Sequence, residues 1–150
     1  MQNLFLTEDD VFYIKIFVAE DDEGIMYCDL DEKGVKFLLG DKKADIVGYT
    51  ITFKKPSFGD MKELTDILLF KTDDRNEPFS YDANPITAKI KTMAFLIRDW
   101  DFKDSSGLKI QPTEENIMKL NPLIATSISI QLEDYLRAKD IDENLQEESE

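Results

Sequence analysis

Apolar and polar positions alternate over residues 11–18. Phe12, Ile14, Ile16 and Val18 fall on one face of an extended chain, which predicts a strand. The acidic stretch 20–23 and Gly24 interrupt the pattern and residues 25–30 resume it, so a hairpin is expected. Residues 31–34 read as a second turn, followed by a short apolar run over 35–39 and then Gly40. The clearest alternation lies at 46–54. There Val47, Tyr49, Ile51 and Phe53 share one face, and Gly48, Thr50, Thr52 and Lys54 share the other. One apolar and one wet face is the pattern of an antiparallel sheet.

The period changes at Pro56. Ser57 is a good N-cap and Asp60 supports the first turn, ahead of Met61, Leu64, Ile67 and Leu68 at helical spacing, so a helix is expected over 58–70. A polar connection over 71–82 follows, with Phe79 and Tyr81 as its anchors to the body. Asn84 before Pro85 marks another helix start. Ile86, Ile90, Met93, Ala94 and Ile97 carry that helix to about Arg98, and 99–107 reads as a loop with Trp100 and Phe102 as apolar plugs. Thr113 caps a short helix with Glu114 and Glu115 in its first turn. Asn121 and Pro122 open the last helix. The expected architecture is α+β: a small N-terminal antiparallel sheet followed by a C-terminal bundle of about four helices. One domain is expected over 1–139, sheet-rich over 1–55 and helical over 56–139. The segment 140–150, with six acidic residues and no basic one, is expected to be a flexible acidic tail.

Composition narrows the function classes. At 150 residues, 42% hydrophobic and 11% aromatic, the chain falls in the globular class. With 32 acidic against 18 basic residues, the net charge is −14. That argues against a nucleic-acid binder, which needs a concentrated basic surface, and against docking on anionic lipid. It favours attraction to basic protein surfaces. An acidic DNA mimic that inhibits a host protein is the alternative that acidity suggests. No apolar stretch is long enough to predict a membrane span, and the N-terminus lacks the basic region of a signal peptide, so the chain is expected to stay in the compartment where it is made.

Catalytic signals are weak. The chain has no histidine, the commonest general base, and its one cysteine, Cys28, sits in a strand-like run and reads as a small hydrophobe. The spacing Asp29-x-Asp31-x-Lys33-Gly34 begins like a calcium loop, but Lys33 and Gly40 stand where ligands are required. Asp99-x-Asp101-x-Lys103 fails likewise, with Asp104 in place of the glycine. The six glycines form no phosphate loop. We therefore expect no enzyme, no metal and no cofactor.

Two stretches read as candidate partner contacts. The junction 53–60 is locally basic and carries Lys54, Lys55 and Phe58; it is either a strand-to-helix connection or a docking point. The last helix carries Leu123, Ile124, Ile128, Leu132, Tyr135 and Leu136, a face broad enough either to sit at the centre of its own bundle or to serve a partner.

Three pieces in order resemble tail assembly chaperones and neighbouring tail-module proteins of tailed bacteriophages. They are the strand-to-helix passage 49–60, the Trp loop and Gly turn of 97–107, and the Pro112-Thr113-Glu114-Glu115-Asn116 helix start leading to Leu120 and Pro122. The resemblance spans 49–136. It implies a non-enzymatic protein that binds other phage proteins, above all tape-measure or tail-tube subunits, and keeps them soluble before polymerisation. It implies no catalytic residues or cofactors. The implied setting is the host cytoplasm, or the virion if the chain is instead a structural subunit of tail, baseplate or neck. A homo-oligomer is compatible with either.

Overall fold

The computed structural model describes residues 4–69 and 85–148, with side chains over 4–66 and 86–137. The elements run β1 Val11–Glu20, β2 Met26–Asp29, α1 Glu32–Leu39, β3 Val47–Lys54, α2 Phe58–Leu69, α3 Pro85–Leu96, β4 Ile97–Trp100, α4 Glu114–Met118 and α5 Pro122–Glu148. The strands form one four-stranded antiparallel sheet in the order β2-β1-β3-β4. The class is α+β, as expected, and among the described residues four helices follow Pro56. The contacts divide the chain into two compact units, 1–13 with 50–119 and 14–49 with 120–150. Each unit draws on both the sheet-rich and the helical part of the sequence.

In the unit 14–49 with 120–150, β1 pairs with β2 from Phe17↔Asp29 to Glu20↔Met26. Ile14 and Ile16 are buried on one face of β1, as their alternation predicts. On the other face Phe17 and Ala19 pack with Val35 and Leu39 of α1. Residues 32–39 are thus a helix, not a turn and a short run. Asp31 is its N-cap, accepting from the Lys33 N–H, and Glu32 and Lys36 pair one turn apart. Val35 and Leu39, four residues apart, bury a single stripe. Gly34 permits the close approach of α1 to β2, because a Cβ there would run into the Asp29 side chain. α5 starts at an Asn121 cap that accepts from the Leu123 N–H, and it packs on β2. Its backbone stays helical to Glu148, so the helix takes in most of the segment expected to fray. Leu145, Gln146, Glu147 and Glu148 are good helix formers.

In the unit 1–13 with 50–119, β3 and β4 pair through Ile51↔Trp100 and Phe53↔Ile97, with a bulge between Thr52 and Phe53. Phe12 stacks on Phe53 at 5.2 Å between ring centres. The end of α3 departs from the periodicity reading. That helix stops at Leu96 and the chain enters β4 at once, so Ile97 and Trp100 belong to a strand. Buried in α3 are Ala88, Thr92, Met93 and Leu96, whereas Ile86 is exposed and Ile90 half-buried. The apolar run 93–97 suits either a helix or a strand, and the open edge of β3 decides it by recruiting Ile97. Thr113 caps α4 as expected, accepting from the Asn116 N–H, and Ile117 is buried. Phe79, Tyr81 and Asn84 lie outside the described residues, as do the side chains of Ile67 and Leu68.

The Thr92 hydroxyl is buried with no hydrogen-bond partner among the described residues. Thr92→Val removes that desolvated group at almost constant volume and is expected to stabilise the chain by up to about 1 kcal/mol. An unfolding free energy from urea melts lowered by more than that amount would show that the hydroxyl has a partner. By contrast, Ile128→Ala or Leu132→Ala empties a fully packed position and is expected to cost about 2–5 kcal/mol in the same measurement.

Candidate functional site

The junction 53–60 is built from a capping exchange. The Ser57 hydroxyl accepts from the Asp60 N–H, and the Asp60 carboxylate accepts from the Ser57 N–H at 2.9 Å, which starts α2. Lys54 is buried and its ammonium lies between Glu8 and Asp60. Glu8 also receives Arg98 at 3.0 Å, and the Lys55 N–H donates to the Asp10 carbonyl. The basic character read from the sequence is therefore spent inside the unit, fastening residues 8–10 to the β3–α2 junction. The Lys54 hydrogen bond and Arg98 hold the Glu8 carboxyl below its usual range, and its bond to Glu8 raises Lys54. Burial acts to raise Asp60, but the Ser57 N–H and Lys54 outweigh it and the carboxyl is lowered. Of the three candidate contacts here, Lys54 is taken, Lys55 is half-buried, and Phe58 stands 96% exposed.

Trp100 is a core plug. Its indole N–H donates to the Ile110 carbonyl and its ring meets Phe102 edge-on at 5.0 Å. Beyond it the chain turns back through a tight loop. Asp104 accepts from the Ser106 N–H and hydroxyl and from the Leu108 N–H, and Gly107 takes a φ of 84° that only glycine adopts without strain. These donors, Ser106 first, lower the Asp104 carboxyl.

On α5 the two readings separate by position. Ile128 and Leu132 are fully buried, and Ile124, Tyr135 and Leu136 are half-buried. That face is core, so Ile128 and Leu132 are not open to a partner. Leu123, at 40% exposure, is the one candidate on this helix that reaches solvent substantially, beside Ile130 on the outward side.

Sequence reasoning passed over the most heavily hydrogen-bonded carboxylate among the described residues. In the sequence Asp21 reads only as part of an acidic turn. Its side chain is 3% exposed and accepts from the Glu23 and Ile25 N–H groups, the Tyr27 hydroxyl and the Lys42 ammonium. The Asp-x-x-Gly spacing signalled a turn, but nothing local signalled Lys42, which comes from beyond α1. The Ile25 N–H, helped by Lys42, Tyr27 and Glu23 and opposed by burial, brings the carboxyl from an ordinary 3.8 to about 2. Tyr27 and Asp21 push Lys42 up to about 12. Burial raises the half-buried Cys28 thiol, against a hydrogen bond with Ser127.

No family model, no curated protein and no solved structure matches the chain. Among the described residues no three metal-ligating side chains converge, and no helix is long and apolar enough to cross a membrane.

The Asp21 geometry fixes a pH response. A carboxyl whose folded pKa is depressed contributes stability that is fully present above its unfolded value and lost as pH falls through the folded one. The stability gap between the wild type and Asp21→Asn is therefore expected to stay constant above about pH 5 and to close between about pH 4 and 2. Urea melts of both proteins across that range measure it.

Proposed function

We propose that this chain is a non-enzymatic protein-binding component of bacteriophage tail assembly, which holds a tape-measure or tail-tube protein soluble before it polymerises. It acts in the host cytoplasm. The reading rests on the resemblance over 49–136, and one observation supports it most. Nearly all of residues 49–122, which carry its three pieces, fall within a single compact unit. There β3 leads into the Ser57 cap of α2, β4 lies beside β3, and Trp100 is tied to Ile110 just ahead of the α4 cap. The three pieces thus lie together in one compact unit, as parts of a single module would.

Phe58 is the partner contact this reading favours. An aromatic ring left almost wholly in water at the first turn of a capped helix gains most from burial on association. A net charge of −14 steers basic partners towards the chain and keeps the free protein in solution.

Co-expression with the tape-measure or the tail-tube protein is the test. At least one of them is expected to co-purify and to gain solubility, and failure with both would sink the proposal. Mass spectrometry of purified virions should lack the chain; finding it there in stoichiometric amount would instead make it a structural subunit. Phe58→Ala is expected to weaken capture while shifting stability by less than about 0.5 kcal/mol, as for an exposed position.

A further inference from the structure

The unit 14–49 with 120–150 carries a cleft of about 740 Å³. The end of β1, the end of α1 and the loop 40–46 form its walls. Leu39, Ala44 and Ile46 give it an apolar floor, and the same side chains pack against the Ala19–Val35 cluster. Its rim is charged, with Glu20, Asp22 and Asp45 facing Lys36, Lys42 and Lys43.

These charges do not cancel. Lys36 is paired with Glu32 at 3.7 Å, and Lys42 with the buried Asp21 at 3.2 Å. Glu20, Asp22 and Asp45 form no ion pair among the described residues, and only Lys43 stands uncommitted against them. A second hollow shares Asp22, Lys42 and Lys43 and adds Glu23 and Asp41, so the surroundings are more acidic still. The C-terminal end of α1 also lies in the wall, through Leu39 and Gly40, and the carbonyl end of a helix favours a cation.

We infer that this cleft receives an arginine or lysine side chain from a basic amphipathic segment of a protein partner. The aliphatic stem lies on Leu39, Ala44 and Ile46, and the cationic head is shared among Glu20, Asp22 and Asp45. Long basic side chains divide in just this way between apolar surface and charge. Arginine fits better than lysine, because its planar fork can meet two carboxylates at once. Phe37 stands 86% exposed, about 60° round α1 from Gly40, where an apolar residue of the same segment can reach it. The inference gives the partner a chemistry, and it rests on the protein-binding reading above while involving a different surface from Phe58.

The test titrates the isotope-labelled full chain with a synthetic amphipathic peptide carrying arginine and leucine at helical spacing, followed by amide NMR shifts. The control peptide has glutamate at every arginine. Shifts are expected at 20–22 and 36–46 with the arginine peptide alone. The triple variant Glu20→Gln, Asp22→Asn, Asp45→Asn should weaken binding roughly tenfold or more, since it removes the charges facing the cation. Glu63→Gln, Asp66→Asn, Glu114→Gln changes net charge equally at exposed positions that do not line the cleft and should leave affinity within about twofold, as screened charges outside the contact do. Equal weakening by both triples, shifts centred elsewhere, or no binding of the arginine peptide would each overturn the inference. If the cleft variant still captures a tape-measure or tube protein as well as the wild type, the cleft is wrong and the assembly reading stands. If the peptide occupies the cleft but the wild type captures neither protein, the assembly reading is wrong and the cleft stands.

Discussion

A single buried carboxylate organises the unit that carries the cleft. Asp21 closes the β1–β2 hairpin by accepting from two backbone N–H groups within its own loop. It then reaches outside that loop to the Tyr27 hydroxyl on β2 and to Lys42 beyond α1. A charge with so little exposure is tolerable only because four donors surround it. The consequence is structural. The hairpin, β2 and the loop after α1 are fastened at one atom group, and the walls of the cleft follow from that attachment.

The other unit uses charge in the same manner. Lys54 lies buried between Glu8 and Asp60, and Arg98 reaches Glu8 from β4. Such pairs hold segments in register; the apolar contacts of Phe12, Phe53, Trp100 and Phe102 supply the greater share of the burial. In a chain with excess acid, cations committed internally leave carboxylates facing outward without partners. The acidic surface thus arises partly from how the lysines are used, and not from composition alone.

Much of the fold is legible in the residues. The alternation of Ile14 and Ile16, the Ser57 and Thr113 caps and the Asn121-Pro122 start all describe local physics that no neighbour needs to supply. The misses share a cause. Residues 35–39 are too short to show a period, and they become a helix because Asp31 caps them and because Val35 and Leu39 have Ala19 to bury against. Ile97 continues the helical spacing of α3 and is diverted into β4 by the edge of β3. The junction at 54–58 looks basic in sequence, yet its lysine turns inward because Glu8, far off in the chain, waits for it.

From the sequence alone follow the α+β class, the caps, the acidity and the absence of histidine chemistry, since each depends on residues close together or on composition. Only the tertiary structure decided which apolar positions remain in water. It placed Ile128 and Leu132 in the core and left Phe58 exposed. It also decided which carboxylates are free, pairing Asp21 with Lys42 and leaving Glu20, Asp22 and Asp45 on the rim of one cleft. Those outcomes depend on contacts between residues distant in sequence, and a linear pattern carries no record of who will be whose neighbour.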